Sequence, residues 1–481
     1  MNFSLDAYQA WRQRQGSDYL RVEDAVGKPR ERLLQYIWQH QRLVRQGLKT
    51  IDGQSCEVLH PGFWNHGPGP DFSQALIRVN GGELREGDVE IDCEVQGWKL
   101  HGHDRNPAFK SVVLQVVWST AKERVDGRAI LAIEPHLDAS VDELSQLFEN
   151  LSPDLPVAFR GRCCSPLHDL PLATTRSVLR SAALYRFRQK AYALGSRART
   201  VGWDQALWEG LIAGLGYSRN GWPMRRLGEL TPSLFPGFPR HWASQWTRLE
   251  IEARLFGVAG FMPDEPPRDE LQYFRQLWDV WWRVRDQFRD SLFPKRIWRM
   301  TGVRPHNHPH RRLALAAQWL ANPDFVRSLE WWFMSATEEN LVELLRNALA
   351  VPASDYWSRH FNFNRSSVAV SPYLIGEGRM IDLAVNCILP WFWGRAKVGN
   401  NSNLQERAEF LYYRLPRSDE NRKLKDGRLR LMGRCDPKMM ASAADQQGLL
   451  QILRDFCSNS DALCQDCRFP DLVGSLGKSS S

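Results

Sequence analysis

Residues 67–92 read GPGPDFSQALIRVNGGELREGDVEID, and this stretch sets the architecture at the front of the chain. The Gly-Pro-Gly-Pro run ends at Asp71, an apolar run follows from Ala75 to Val79, and Asn80-Gly81-Gly82 supplies turn residues that let the chain reverse. From Asp88 to Val95 polar and apolar residues alternate, the period of a half-buried strand. A strand, a turn and a second strand are predicted. Asp71 precedes the first strand, and Glu90 lies on the second, nineteen positions on. Antiparallel pairing then brings the two carboxylates to one end of the pair, and alternation turns Glu90 and Asp92 to one face with Ile91 on the other.

Upstream, the run from Glu31 to Val44 places Leu34, Ile37, Trp38 and Gln41 on one side at helical spacing. Downstream, Ser111 to Trp118 and Ala129 to Ile133 read as further strands, and Cys56 to His60 as an earlier one. The pattern changes near Leu172 to long stretches of Ala, Leu, Arg and Trp with apolar residues three and four apart, as in Thr175 to Gly195 and Asp204 to Leu215. The expected fold is therefore α+β. A mixed-sheet α/β domain over residues 1–165 includes a connection holding the pair Cys163-Cys164, a helical domain fills 166–472, and a Ser/Gly/Lys tail over 473–481 is expected to lack structure.

A chain of 481 residues exceeds one ordinary core, so a single small module is excluded. The best apolar run, Ile381 to Trp393, contains Asp382, Asn386 and Pro390 and is too short to cross a bilayer, so no membrane partner is expected. The amino end lacks the pattern of a secretory signal, which makes the cytoplasm the expected location. Basic residues number 63 against 55 acidic ones, and fifty-one of the 63 are arginine. With twenty tryptophans this suits a nucleic-acid partner through phosphate contacts and stacking. A net charge of +8 over this length is a weak field, however, and a Trp-packed helical core explains the same composition.

Chemistry concentrates in four places. Asp71, Glu90 and Asp92 converging on one face would raise one another's pKa, and a hard cation, Mg²⁺ or Mn²⁺, is the usual compensation. Next, His101-Gly102-His103-Asp104 offers two imidazoles beside an acid, able to bind Zn²⁺ or shuttle a proton, although no third ligand stands out nearby. Cys435, Cys457, Cys464 and Cys467 crowd the carboxyl end, as four thiolates around zinc or an iron–sulfur cluster would. Finally, the run from Arg304 to Leu313 packs His306, His308 and His310 with three arginines at the expected start of a helix near Asn307 or Pro309, a possible phosphate cradle or only a packed helix cap.

Pro70-Asp71 followed by Glu90-Ile91-Asp92 resembles the PD-(D/E)XK nuclease superfamily. The resemblance implies that Asp71 and Glu90 hold a catalytic metal, that the Ile91 carbonyl adds a ligand and that Glu31 on the preceding helix completes the shell. It implies divalent-metal-dependent hydrolysis of nucleic acid. Asp92 stands where that superfamily has lysine, so Lys99, His101, His103 or Lys110 would have to supply the missing cation or proton donor. The alternative is a non-catalytic, metal-stapled nucleic-acid-binding or interaction protein on a degenerate nuclease scaffold. Glu31-Arg-Leu-Leu-Gln-Tyr-Ile-Trp38, Gly69-Pro-Asp-Phe72, Trp98-x-x-His-Gly-His103, Val113-Leu-Gln-Val-Val-Trp118, Leu255-Phe-Gly-Val-Ala-Gly-Phe261, Arg304-Pro-x-Asn-x-Pro309 and Gln447-Gly-Leu-Leu-Gln-Ile452 together resemble an uncharacterised bacterial family, domain of unknown function 2851. That family usually carries His where this chain has Asp92 and Gln115, and it implies no established activity.

Overall fold

Two helices open the chain, α1 (Leu5–Gly16) and α2 (Glu31–His40), and they join different cores. The computed structural model describes residues 3–16, 29, 31–65, 69–119, 128–148, 165–168, 170–217, 219–239, 245–265, 272–301, 303–353, 355–363, 372–433, 439–457 and 468–478. On α2, Leu33, Leu34, Ile37 and Trp38 are buried at three- and four-residue spacing, and the Trp38 indole donates to the Pro61 carbonyl at 2.9 Å. The helix stops at His40, short of the predicted Val44. Gln41 takes a left-handed φ of 48°, which an α-helix of L-residues cannot carry on.

Six strands follow: β1 (Cys56–His60), β2 (Phe63–Trp64), β3 (Phe72–Val79), β4 (Arg85–Ile91), β5 (Val112–Val117) and β6 (Ile130–Ala132). They form one mixed sheet in the order β1-β3-β4-β5-β6, with β2 also on β3. β1 and β3 pair antiparallel, as do β3 and β4, whereas β4–β5 and β5–β6 are parallel. A tight turn cannot join parallel neighbours, so the chain leaving β4 crosses through the short helix α3 (Gly97–Leu100) before entering β5. β4 ends at Ile91 and not at the predicted Val95, because the chain turns into α3 through the Gly97 N–H to Glu94 carbonyl bond at 3.0 Å.

Period-two alternation divides the sheet between two cores. Ala75, Ile77, Val89, Ile91, Leu114 and Val116 pack with α2, while Leu76 and Leu59 join the helical core with Ala183 and Phe187. The helical part runs through α4 (Val141–Phe148), α5 (Leu172–Val201), α6 (Trp203–Leu215), α7 (Gly221–Leu234) and α8 (Arg248–Val258) to further helices ending with Phe469–Lys478. At 30 residues α5 is about 45 Å long and forms a spine, longer than the predicted Thr175 to Gly195.

The sequence reading needs two adjustments at the ends. Residues after Leu472, expected to lack structure, are helical through Lys478, with Val473 buried. And α1 leaves the sheet domain altogether. Its Tyr8 and Trp11 pack with Val178, Leu179, Phe456 and Phe469, and the Tyr8 hydroxyl donates to Asp455 at 2.7 Å, tying the first helix to the last turns of the chain. Among the described residues no helix is long and apolar enough to cross a membrane.

Candidate metal centre

The antiparallel register Phe72 to Val89 sets the start of β3 beside the end of β4, which brings Asp71 next to Glu90. Two bonds fasten the pair: the Asp71 N–H donates to Glu90 Oε2 at 3.1 Å, and the Ile91 N–H donates to Asp71 Oδ2 at 3.0 Å. Glu31, in the first turn of α2, joins through Gln35 one turn later, whose Nε2 donates both to Glu31 Oε1 at 3.0 Å and to Asp71 Oδ1 at 2.9 Å. Asp71 thus stands beside Glu90 at the end of the sheet, and Glu31 reaches Asp71 only through Gln35.

The crossover begins at that same end of β4, so its side chains return over the acids. Asp92 is almost wholly buried, at 1% exposure, and Gln115 on β5 donates to its Oδ2 at 2.7 Å. His101 Nδ1 lies 3.2 Å from Asp92 Oδ1, and His103 Nε2 lies 3.1 Å from Glu90 Oε1. Gly102, with φ of 72°, lets the loop reverse between the two imidazoles. His103 stacks on Phe109 with centroids 3.9 Å apart and meets Trp98 edge-on. A cleft lined by Trp98, His103, Arg105, Asn106, Phe109 and Lys110 borders this loop. Lys99, the other candidate cation, stands exposed on α3.

The electrostatics follow from burying several acids together. Burial, reinforced by Glu31, lifts Asp71 from its ordinary 3.8 to about 7. Burial, reinforced by Asp71, lifts Glu90 from 4.5 to about 9. Burial also raises Asp92, although Gln115 and the two histidines pull it back, and burial with the nearby Asp92 raises Glu31. Such a cluster holds either protons or a cation near neutral pH.

Gly97 shows how tightly the crossover is built. A Cβ there would sit 2.5 Å from Asp92 Oδ1 and 2.9 Å from its Cγ. Gly97→Ala is expected to cost about 1–3 kcal/mol in urea unfolding, as overpacking does, because the Asp92 carboxylate must move. An unchanged midpoint would mean that α3 yields instead.

Sequence reasoning passed over Gln35 and Gln115 as site residues. Gln35 follows Glu31 by four on one helix, and Gln115 is the one polar residue in the strand VVLQVV, so both left a signal. In the Arg304 to Leu313 run two of the three arginines are turned inward, away from a phosphate cradle. Pro309 does begin its helix, but Arg311 is spent on the carbonyls of Trp357 and Tyr373, and Arg312 on the Leu374 carbonyl, Asn307 and the Tyr217 hydroxyl. His310 stacks on Phe261 at 4.0 Å. Of the four carboxyl-end cysteines, Cys435, Cys464 and Cys467 lie outside the described residues, and Cys457 ends the π-helical turn Leu453–Cys457, partly buried.

A family model described as protein of unknown function (DUF2851) matches residues 31–421, a span that holds every residue of this centre. Neither a curated protein nor a solved structure matches the chain.

Proposed function

The chain belongs to the DUF2851 family, and from the geometry of its carboxylates we propose that it is a divalent-metal-dependent phosphodiesterase acting on nucleic acid in the cytoplasm. The observation that carries this reading is the seating of Asp71 beside Glu90, whose carboxylate accepts the Asp71 backbone N–H at 3.1 Å, with both carboxyls raised toward or beyond neutrality by burial and by each other. An all-oxygen set of Asp71, Glu90, the Ile91 carbonyl and Glu31 suits Mg²⁺ or Mn²⁺. When bound, such an ion polarises a phosphodiester and lowers the pKa of a coordinated water. Gln35 keeps Glu31 and Asp71 aimed together by donating to both. Lys110, on the cleft beside His103, offers the positive charge that the nuclease resemblance would otherwise seek at position 92, while Arg105 there stands 3.8 Å from Asp104.

A second reading has a specific observation behind it: that position is Asp92, buried and bonded to Gln115, so no cation stands there. Under it the protein binds nucleic acid without cutting it. In either case we propose that Cys435, Cys457, Cys464 and Cys467 hold a zinc ion or an iron–sulfur cluster as a staple, which metal analysis with visible absorption separates as colourless or brown.

Purified protein incubated with DNA or RNA and Mn²⁺ or Mg²⁺ should cut, and a chelator should stop it. Salt-dependent binding with no turnover at either ion would reject the phosphodiesterase in favour of the binding protein.

A further inference from the structure

We propose that Asp92, His101 and His103 form a second metal position, for a borderline transition ion of the Zn²⁺ class, beside the all-oxygen Asp71–Glu90 pair. The histidine pair lacks a third ligand in the sequence around it. The fold supplies one, because the crossover folds both imidazoles back onto the residue that ends β4. One ligand atom from each of the three side chains lies within 4.8 Å of the others. His101 Nδ1 and Asp92 Oδ1, at 3.2 Å, already stand at the spacing of neighbouring ligands on a tetrahedral ion, about 3.4 Å for bonds near 2.1 Å. His101 is half exposed on a turn next to Gly102, so it is the side chain able to close the remainder.

Two atoms point to a missing occupant. Asp92 Oδ1 and His103 Nε2 are both buried without a hydrogen-bond partner. Each has one neighbour at ion-pair distance, His101 Nδ1 for Asp92 Oδ1 and Glu90 Oε1 for His103 Nε2, and an ion between them would give both atoms a full partner. Buried polar atoms are seldom left this way, because each forfeits its hydration. No Lys or Arg forms an ion pair with Asp92 among the described residues. The surroundings also match what holds a metal ligand in place: Gln115 donates to the other Asp92 oxygen, and Phe109 and Trp98 fix the His103 ring. Two imidazoles with one carboxylate select Zn²⁺, Co²⁺ or a similar ion over Mg²⁺, so this position differs in chemistry from its all-oxygen neighbour. Glu90, whose Oε1 faces His103 and whose Oε2 faces Asp71, stands between the two.

The test is titration of the chelator-treated full chain with Co²⁺, followed by visible absorption. Beyond any Co²⁺ taken up by the cysteines, seen by its thiolate charge-transfer band, and by the acid pair, wild type should take up one further equivalent whose band is that of nitrogen and oxygen ligands. His101→Gln, at an exposed position, and His103→Gln should each lose that equivalent. Gln115→Ala should weaken it by about 10–100-fold, the usual effect of removing a ligand's support. Thermal unfolding of each metal-free variant establishes that it is folded. The same number of equivalents and the same band in wild type and both folded histidine variants would overturn the proposal. The result stands apart from the phosphodiesterase reading: an equivalent lost with His103 in a protein that cuts nothing upholds this position and rejects that activity, and cutting with no equivalent lost does the reverse.

Discussion

Glu90→Gln should reduce metal-dependent cleavage by at least ~10³-fold while leaving the protein folded. Gln has the same shape, and its amide oxygen can still accept the Asp71 N–H that now bonds Glu90 at 3.1 Å, so the end of the sheet keeps its connection. What is lost is the negative charge that would hold the cation. Several kcal/mol of charge stabilisation depend on a properly held ion, and each 1.36 kcal/mol is a factor of ten in rate. Asp71→Asn should fall by a similar factor, since Asp71 Oδ2 could still accept from Ile91. Glu31→Gln should cost less, because Glu31 reaches the pair through Gln35. Single-turnover cleavage, with circular dichroism to confirm the fold, measures this. Equal rates in wild type, Asp71→Asn and Glu90→Gln would remove the pair from the chemistry.

The second large effect is on stability against pH. In the metal-free protein Glu90 holds its proton up to about 9 and Asp71 up to about 7, against ordinary values of 4.5 and 3.8. Between those limits the folded chain binds protons that the unfolded chain has released, so stability is greatest below the ordinary values and declines as pH rises. Both acids contribute up to about pH 7, and Glu90 alone from there to about 9. His40 and His60, held near 3 by burial, work in the opposite sense but only below their ordinary 6.5. Buried Lys190, held well below its ordinary value, also opposes the trend at the alkaline side. Comparison with Glu90→Gln isolates the acid. Wild type should lose a few degrees of melting temperature between pH 6 and 9 relative to Glu90→Gln, at ~1 °C per kcal/mol for a chain of this length. Saturating Mn²⁺ should restore most of that loss, because the ion binds only the folded centre. Parallel pH profiles for the two proteins would mean that Glu90 ionises freely in the folded state.

The hairpin and its acids are legible in the sequence because the signals are local. Gly and Asn mark the turn, and alternation fixes which side chains share a face, so the approach of Asp71 to Glu90 follows from a register that spans only nineteen positions. Asp92 is harder to place. Its partner Gln115 lies across a parallel pair that forms only after the crossover, and nothing near either residue marks that pairing. The histidine loop likewise shows its metal-binding character but not its third ligand. Arg311 and Arg312 mislead for the same reason, since the carbonyls that absorb them come from Trp357, Tyr373 and Leu374, 46 to 62 residues away. Packing of α1 against the last helices is invisible to periodicity, which reports that a face is buried but not against what.

Crystals of the full chain grown with Mn²⁺ and measured for anomalous scattering give the most direct check of a cation shared by Asp71 and Glu90. The expected result is a peak roughly 2.0–2.6 Å from a carboxylate oxygen of each residue. Full Mn²⁺ peaks elsewhere in the molecule, with nothing between those two carboxylates, would contradict it.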